Sequence, residues 1–332
     1  MQIAIFDTKP WEKKMMSKEL KKHQLKFFTT PLHETKTADF ANAEIVSVFV
    51  SSKVTTDIIK KLPKLKMIAT RSTGYDHIDL KAAKAKGVIV CSVPSYGENT
   101  VAEHAFALIL SLSRNIHKSY LRSMREDYTI EGLKGFDLQG KTLGVIGAGK
   151  IGMHAIRIGR GFGMNVLAYD CFQNEFLAET LNYQYASLEE LLKKSDVITI
   201  HVPAIPETFH MINKNNVKLI KKGALLVNTA RGSVVETEAL LYALDNKILA
   251  GAGLDVLEEE DLIMEEKHLV WRQQNDKRMA SLIKNHILLS KDNVVFTPHI
   301  GFYSQEACDR ITKTTIADIQ AYVAGQPINL IK

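Results

Sequence analysis

The feature that most restricts this chain is a glycine-spaced turn, Gly147-Ala-Gly149-Lys-Ile-Gly152, set between an apolar run at Thr142–Ile146 and a helical pattern opening near Ile151. In a strand–turn–helix unit the first glycine permits the tight turn, the second lets a pyrophosphate approach the backbone, and the third lets helix pack on strand. The helix start then offers unpaired N–H groups and the positive end of its dipole to phosphate. Beyond the helix, residues 166–170 read as a strand ending in a carboxylate, Asp170, about 18 residues after Gly152 and near the ~20 of a dinucleotide fold. Asp170 can accept hydrogen bonds from both hydroxyls of an adenosine ribose and would repel a 2′-phosphate, and no arginine follows closely to neutralise one. The cofactor expected is therefore NAD rather than NADP.

A chain of 332 residues exceeds the usual reach of one hydrophobic core, so two domains are expected. Residues 3–6, 45–50, 65–70 and 88–91 read as short buried strands, with helical stretches at 13–22, 57–62 and 80–86 between them. A long apolar-periodic segment, residues 101–116, follows as a helix whose first turn Asn99 or Thr100 can cap. Strand patterns recur at 197–201, 224–228, 252–256 and 293–297, and a last helix over 305–324 is stopped by Gly325 and Pro327. Strands alternating with helices predict the α/β class, with doubly wound parallel sheets covered on both faces.

Composition excludes several other classes. Lys+Arg of 43 against Asp+Glu of 37 leaves a formal charge of +6, scattered along helical stretches, which argues against a nucleic-acid partner. Cys91, Cys171 and Cys308 lie far apart without a C-x-x-C spacing, so no zinc site or redox pair is expected and a reducing cytoplasm is. No run approaches the ~20 apolar residues of a membrane span, and residues 1–7 read as a buried strand rather than a signal peptide. No metal is implied.

Three polar segments fall just after predicted strands: Asn228-Thr-Ala-Arg231-Gly232, Gly253-Leu-Asp255-Val-Leu-Glu-Glu-Glu260, and Thr297-Pro-His299. Strand carboxyl ends are where open α/β sheets bind ligands. Reduction of a 2-keto acid needs a cation for the carboxylate, a proton for the carbonyl oxygen and a group to orient the proton donor; Arg231, His299 and Glu260 meet those needs.

On these residues the chain resembles the D-isomer-specific 2-hydroxyacid dehydrogenases, most of all their D-lactate branch. The resemblance runs through Arg71-Ser-Thr-Gly-Tyr-Asp-His-Ile-Asp79, Pro94-Ser-Tyr96, Val101-Ala-Glu-His104, the glycine turn, His201-Val-Pro203, residues 228–232, Leu254-Asp-Val256 and residues 297–301. It implies a flavodoxin-like substrate domain, residues 1–98 with 299–332, and an inserted Rossmann NAD-binding domain, residues 99–298, with a cleft between them. It implies Arg231, Glu260 and His299 as the catalytic set, Glu260 being chosen over Glu258 and Glu259 by its position after Asp255. Gly147, Gly149, Lys150, Ile151, Gly152, Asp170, His201, Val202, Pro203, Thr208, Thr229, Ala230 and Asp255 would surround NAD, with Asp255 near the carboxamide. The imidazoles of His201 and His104 are read as supporting groups. Thr73, Gly74, Tyr96, Arg231 and Phe302 would bind the substrate.

The activity implied is reversible reduction of pyruvate to D-lactate by hydride transfer from NADH. Thr73 stands where many D-lactate enzymes carry valine, and Gly97-Glu98 replaces a common Ser-Pro. Phenylpyruvate, 2-ketoisocaproate, hydroxypyruvate and glyoxylate therefore stay open as substrates, as does an NADH-sensing binding module of the same fold. A homodimer or higher homo-oligomer is expected, the 101–116 helix matching the family's dimer-forming region. The segment 262–289, with Trp271, is read as a loop and helix near the cleft or an interface.

Overall fold

The computed structural model describes residues 1–260 and 276–331. The chain divides into two compact units, Met1–Gly97 with Ser304–Lys332, and Glu98–Tyr303. The return to the first unit comes at Ser304 rather than at His299. The reason is visible in the backbone: His299, Ile300 and Gly301 all donate their N–H groups to Asp255, a residue of the second unit.

In the first unit, β1 (Gln2–Ile5), α1 (Pro10–Glu19), β2 (Gln24–Phe27), β3 (Ile45–Val48), α2 (Thr56–Lys60), β4 (Met67–Thr70), α3 (Leu80–Ala85) and β5 (Ile89–Cys91) build a parallel sheet in the order β2-β1-β3-β4-β5. Strands β3 and β4 are buried at every position because helices cover both faces. Edge strand β2, Gln-Leu-Lys-Phe, alternates exposed and half-buried residues and offers no apolar run to the eye. Arg71, just past β4, is 1% exposed; its guanidinium donates to Glu12 Oε1 at 2.9 Å, Ser47 Oγ at 3.1 Å and the Phe6 carbonyl at 2.5 Å. One side chain thus ties β4 to α1, β3 and β1. Removing one partner of such a buried pair costs about 3–5 kcal/mol.

The second unit opens with α4 (Glu98–Ser113) and α5 (Ile116–Ser123). The single helix expected over 101–116 is therefore two. Asn99, expected as a cap, lies inside α4 and donates to Glu103 Oε1 at 2.9 Å, while Asn115 takes a left-handed φ of 51° that ends one helix and starts the next. Asparagine tolerates that conformation better than most residues. Ala102, Ala105, Phe106, Leu108, Ile109 and Leu112 of α4 are buried in one cluster with the strands below it. Each large apolar side chain so buried contributes about 1.5–3 kcal/mol.

The elements β6 (Thr142–Ile146), α6 (Lys150–Gly161), β7 (Asn165–Tyr169), α7 (Glu175–Leu181), β8 (Gln184–Tyr185), α8 (Leu188–Lys194), β9 (Val197–Ile200), β10 (Ala224–Asn228), α9 (Thr237–Asp245), β11 (Leu249–Leu254), α10 (Asp276–Leu289) and β12 (Val294–Phe296) follow. Their seven strands form a parallel sheet in the order β12-β11-β10-β9-β6-β7-β8. Strand order reverses at β6 and β9, the switch point beside which doubly wound sheets open a ligand crevice. Trp271 lies outside the described residues. The last helix, α11 (Gln305–Val323), is capped by Ser304 Oγ accepting from Ala307 N at 3.2 Å. It returns to the first unit, where Ile316 and Ile319 join Ile3, Ile5, Met67 and Ala69 in one core. Both parallel α/β sheets expected from the sequence are present. Among the described residues no helix is long and apolar enough to cross a membrane.

Candidate active site

Strand register aligns the carboxyl ends of six neighbouring strands. Tyr169, Ile146, Ile200, Asn228, Leu254 and Phe296 are paired in succession across the second sheet. The next residue on each strand is Asp170, Gly147, His201, Thr229, Asp255 and Thr297. At ~4.8 Å between strands this row is about 24 Å long. Residues drawn from widely separated sequence positions are therefore brought to one edge.

At the β6 end, a Cβ built on Gly152 would lie 1.9 Å from the Gly147 carbonyl oxygen, so α6 can begin this close to the turn only with glycine there. Gly149 is the N-cap residue of α6 and no side chain caps the helix, which leaves its first N–H groups facing outward. Asp170 sits opposite, accepting from Ala148 N at 2.7 Å through Oδ2 and from Phe172 N at 2.8 Å through Oδ1. The carboxylate thus braces the turn, and its remaining lone pairs stay open to hydroxyl donors.

Burial lowers the His201 imidazole to about 4, keeping it neutral at the end of β9. Val202 and Pro203 continue from it, and the Thr208 hydroxyl donates to the Pro203 carbonyl at 2.5 Å, shaping that loop. Thr229 Oγ1 is buried with no hydrogen-bond partner among the described residues. A buried hydroxyl left so is a place for a ligand's polar group. Ala230 N donates to Asn228 Oδ1 at 3.0 Å, and Lys150 is exposed, 3.6 Å from Glu98. A free helix start, a braced carboxylate and an orphaned hydroxyl on one strand-end row fit a dinucleotide.

Arg231, Glu260 and His299 follow the last three strands of the row, β10, β11 and β12. Arg231 follows β10, with Nη1 donating to the Ala230 carbonyl at 2.8 Å and its own carbonyl held by Asn228 Nδ2 at 2.9 Å. His299 Nδ1 lies 2.8 Å from Glu260 Oε1; a carboxylate only accepts, so Nδ1 carries the proton and Nε2 is left for other work. Glu258 is otherwise engaged: its Oε1 accepts from His210 Nε2 at 2.6 Å and its Oε2 from Thr237 N at 3.1 Å. Glu259 is exposed with a φ of 52°.

Asp255 is 1% exposed and spends its carboxylate on the turn that carries His299. Oδ1 accepts from Thr297 Oγ1 at 2.6 Å and Ile300 N at 2.9 Å, and Oδ2 from Gly301 N at 2.7 Å. Burial opposes its ionisation, but hydrogen bonds from His104, Thr297, Ile300 and Gly301 outweigh it and hold the carboxyl below the usual range. The sequence placed Asp255 beside the cofactor by resemblance; its grip on the 297–301 turn left no motif to read.

The remaining expected substrate residues divide between the units. Phe302 follows the His299 turn and packs its ring edge-on to Tyr303. Thr73, Gly74 and Tyr96 belong to the first unit: Thr73 Oγ1 donates to the Val93 carbonyl at 2.8 Å, the Gly74 carbonyl accepts from Ser72 Oγ at 2.6 Å, and the Tyr96 carbonyl accepts from Arg310.

A parallel sheet whose switch point opens beside a glycine turn and a strand-end carboxylate places the chain among the NAD-dependent oxidoreductases. Comparison with known proteins narrows this. The family model for the D-isomer specific 2-hydroxyacid dehydrogenase NAD binding domain matches residues 106–301. A 2-hydroxyacid dehydrogenase homolog of Haemophilus influenzae is 38% identical, with 98% of this chain and 97% of that one covered. The D-lactate dehydrogenase of Escherichia coli is 37% identical, with 98% of each chain covered. Among solved structures, the D-lactate dehydrogenase of Aquifex aeolicus complexed with NAD and lactic acid superposes with a TM-score of 0.88 at 38% identity, covering 98% of this chain and 96% of that one. The chain belongs to the NAD-dependent D-isomer-specific 2-hydroxyacid dehydrogenases.

Proposed function

We propose that the protein is a D-lactate dehydrogenase that reversibly reduces pyruvate, with Arg231, Glu260 and His299 as its catalytic residues. The observation that carries the reading is the 2.8 Å contact between His299 Nδ1 and Glu260 Oε1. It orients the imidazole through Nδ1 and leaves Nε2 to face a substrate oxygen. NADH, when bound, supplies the hydride that reaches the keto carbon. His299 Nε2 donates the proton that the carbonyl oxygen takes up, and receives it back in the reverse direction, a role worth about 10²–10⁴-fold. Arg231 grips the substrate carboxylate with two parallel N–H groups and so fixes which face of the keto carbon is presented. Thr73, Gly74, Tyr96 and Phe302 are proposed as substrate-binding residues on the strength of the family resemblance.

Loss of NADH absorbance with pyruvate, phenylpyruvate, 2-ketoisocaproate, hydroxypyruvate and glyoxylate tests the substrate. Pyruvate is expected to give the highest kcat/KM; a larger acid in first place would replace it, and no turnover with any would favour an NADH sensor. Arg231→Lys keeps the charge but not the fork, and is expected to lower kcat/KM for pyruvate about 100-fold. Near-parental kcat/KM in that variant would reject the role given to Arg231.

A homodimer in the cytoplasm completes the proposal. Helix α4 is occupied by its own core, so the surface offered is the segment after it. Ile116, Tyr120, Leu121 and Met124 are 55–68% exposed and Tyr128 and Ile130 are 77% and 79% exposed, an apolar stretch that a second copy would cover. Tyr120→Asp with Leu121→Asp should yield a monomer in analytical ultracentrifugation; an unchanged mass would remove this surface from the interface. The three cysteines are unpaired, in keeping with a reducing compartment.

A further inference from the structure

His299 is held in a conformation that its own chemistry disfavours. Its φ is 54°, the left-handed region, which costs a residue with a Cβ about 1–2 kcal/mol. Something must fix the 297–301 turn in that shape. Within the turn, His299 N donates to the carbonyls of Asp255 and Thr297, both at 2.9 Å. The Asp255 carboxylate then gathers Thr297 Oγ1, Ile300 N and Gly301 N. The packing is close enough that a Cβ on Gly301 would fall 2.8 Å from Asp255 Oδ2.

The carboxylate's further partner comes from outside this local circuit. His104, in α4, brings Nε2 to 2.9 Å from Thr297 Oγ1 and 3.3 Å from Asp255 Oδ1. Thr297 already gives its hydroxyl proton to Asp255, so it can only accept from His104, and Nε2 must carry a hydrogen. That one N–H serves both oxygens. Its helix is anchored by Ala105, Phe106 and Leu108 in the buried core, so the imidazole is a fixed point against which the turn is set.

We propose that His104 is a positioning residue. Through Asp255 and Thr297 it holds the turn that presents His299 to Glu260, without touching substrate itself. The proposal rests on the reading of His299 as the proton donor and deepens it. An imidazole kept even 1 Å from its place costs about 10²-fold in rate, so the effect of losing His104 belongs on kcat, with cofactor and substrate binding spared.

The test compares His104→Ala, His104→Gln and His299→Gln in full-length protein, measuring pyruvate kcat and KM and the NADH Kd by fluorescence. Glutamine can place an N–H where Nε2 stood. His104→Ala is expected to lower kcat about 10–100-fold with KM and NADH Kd little changed, and His104→Gln to recover most of the loss. Parental kcat in His104→Ala overturns the proposal, as does a glutamine variant no better than alanine, or a loss of NADH binding that accompanies the loss of turnover. Full activity in His299→Gln would instead defeat the reading of His299, whereas an inactive His299→Gln beside a normal His104→Ala defeats the positioning role alone.

Discussion

Gly232 stands directly after Arg231, and the space around it is set by backbone rather than by side chains. A Cβ at this position would lie 2.0 Å from both the carbonyl carbon and oxygen of Leu257 and 2.5 Å from Glu258 N. Ordinary contact begins near 3.4 Å, so in Gly232→Ala the two segments must part by about 1.4 Å. Neither has a soft end to give: Leu257 is 5% exposed, the Arg231 carbonyl is held by Asn228 at 2.9 Å and the Glu258 carbonyl by Asn285 at 2.9 Å. The movement therefore passes to the segments carrying Arg231 and Glu260. Arg231 and Glu260 are proposed as catalytic groups, and displacement of such a group by ~1 Å costs about 10²-fold. Gly232→Ala is expected to lower kcat/KM for pyruvate about 100-fold while NADH binding, measured by fluorescence, stays near parental because the glycine turn after β6 is untouched. If kcat/KM matches the parent, the close approach of these two segments has no part in setting the site.

Three other outcomes follow from single contacts. Glu260→Ala removes the acceptor that orients His299 Nδ1, so kcat with pyruvate should fall about 100-fold while the NADH Kd stays near parental; an unchanged kcat would reject the role of Glu260. Asp170→Asn weakens both the brace on Ala148 N and the repulsion of a 2′-phosphate, so the NADH KM should rise about tenfold and the preference over NADPH should shrink, as steady-state rates with each cofactor will report. Glu238 is held at about 2 by hydrogen bonds from Lys214 and then Lys284, so its stabilising share is present above the ordinary carboxylate value of 4.5 and is lost as pH falls toward about 2. Glu238→Gln should therefore lower Tm at neutral pH, with the gap to the parent closing across that acid range; a gap independent of pH would discount the ion pairs.

The elements most legible in the sequence are those whose residues face no choice. Strands β3, β4 and β10 are buried at every position and each is apolar but for one residue, Ser47, Thr70 and Asn228 respectively, so their positions could be read directly. Strand β2 and the two-residue strand β8, Gln184–Tyr185, escaped notice because an edge strand carries polar residues and its pairing, not its composition, defines it. The break at Asn115 was hidden for another reason: the apolar period runs on through Ile116, and only the left-handed backbone separates α4 from α5. At the site, the order of Arg231, Glu260 and His299 after successive strands was visible, since each follows an apolar run. The work of Asp255 and His104 was not. Their partners lie 42 to 193 residues away along the chain, and no local pattern encodes a hydrogen bond at that distance.

Because α11 closes a core begun by β1, the first unit cannot be completed in the order it is made. A ribosome adding about 5–20 residues per second takes about 10–40 s to pass from residue 98 to residue 303. Throughout that interval Ile3, Ile5 and Met67 lack the Ile316 and Ile319 that cover them in the finished protein. The inserted unit has all its strands before its host has a closed surface. Newborn chains should thus expose an uncovered apolar face in the amino-terminal unit until the last helix is made.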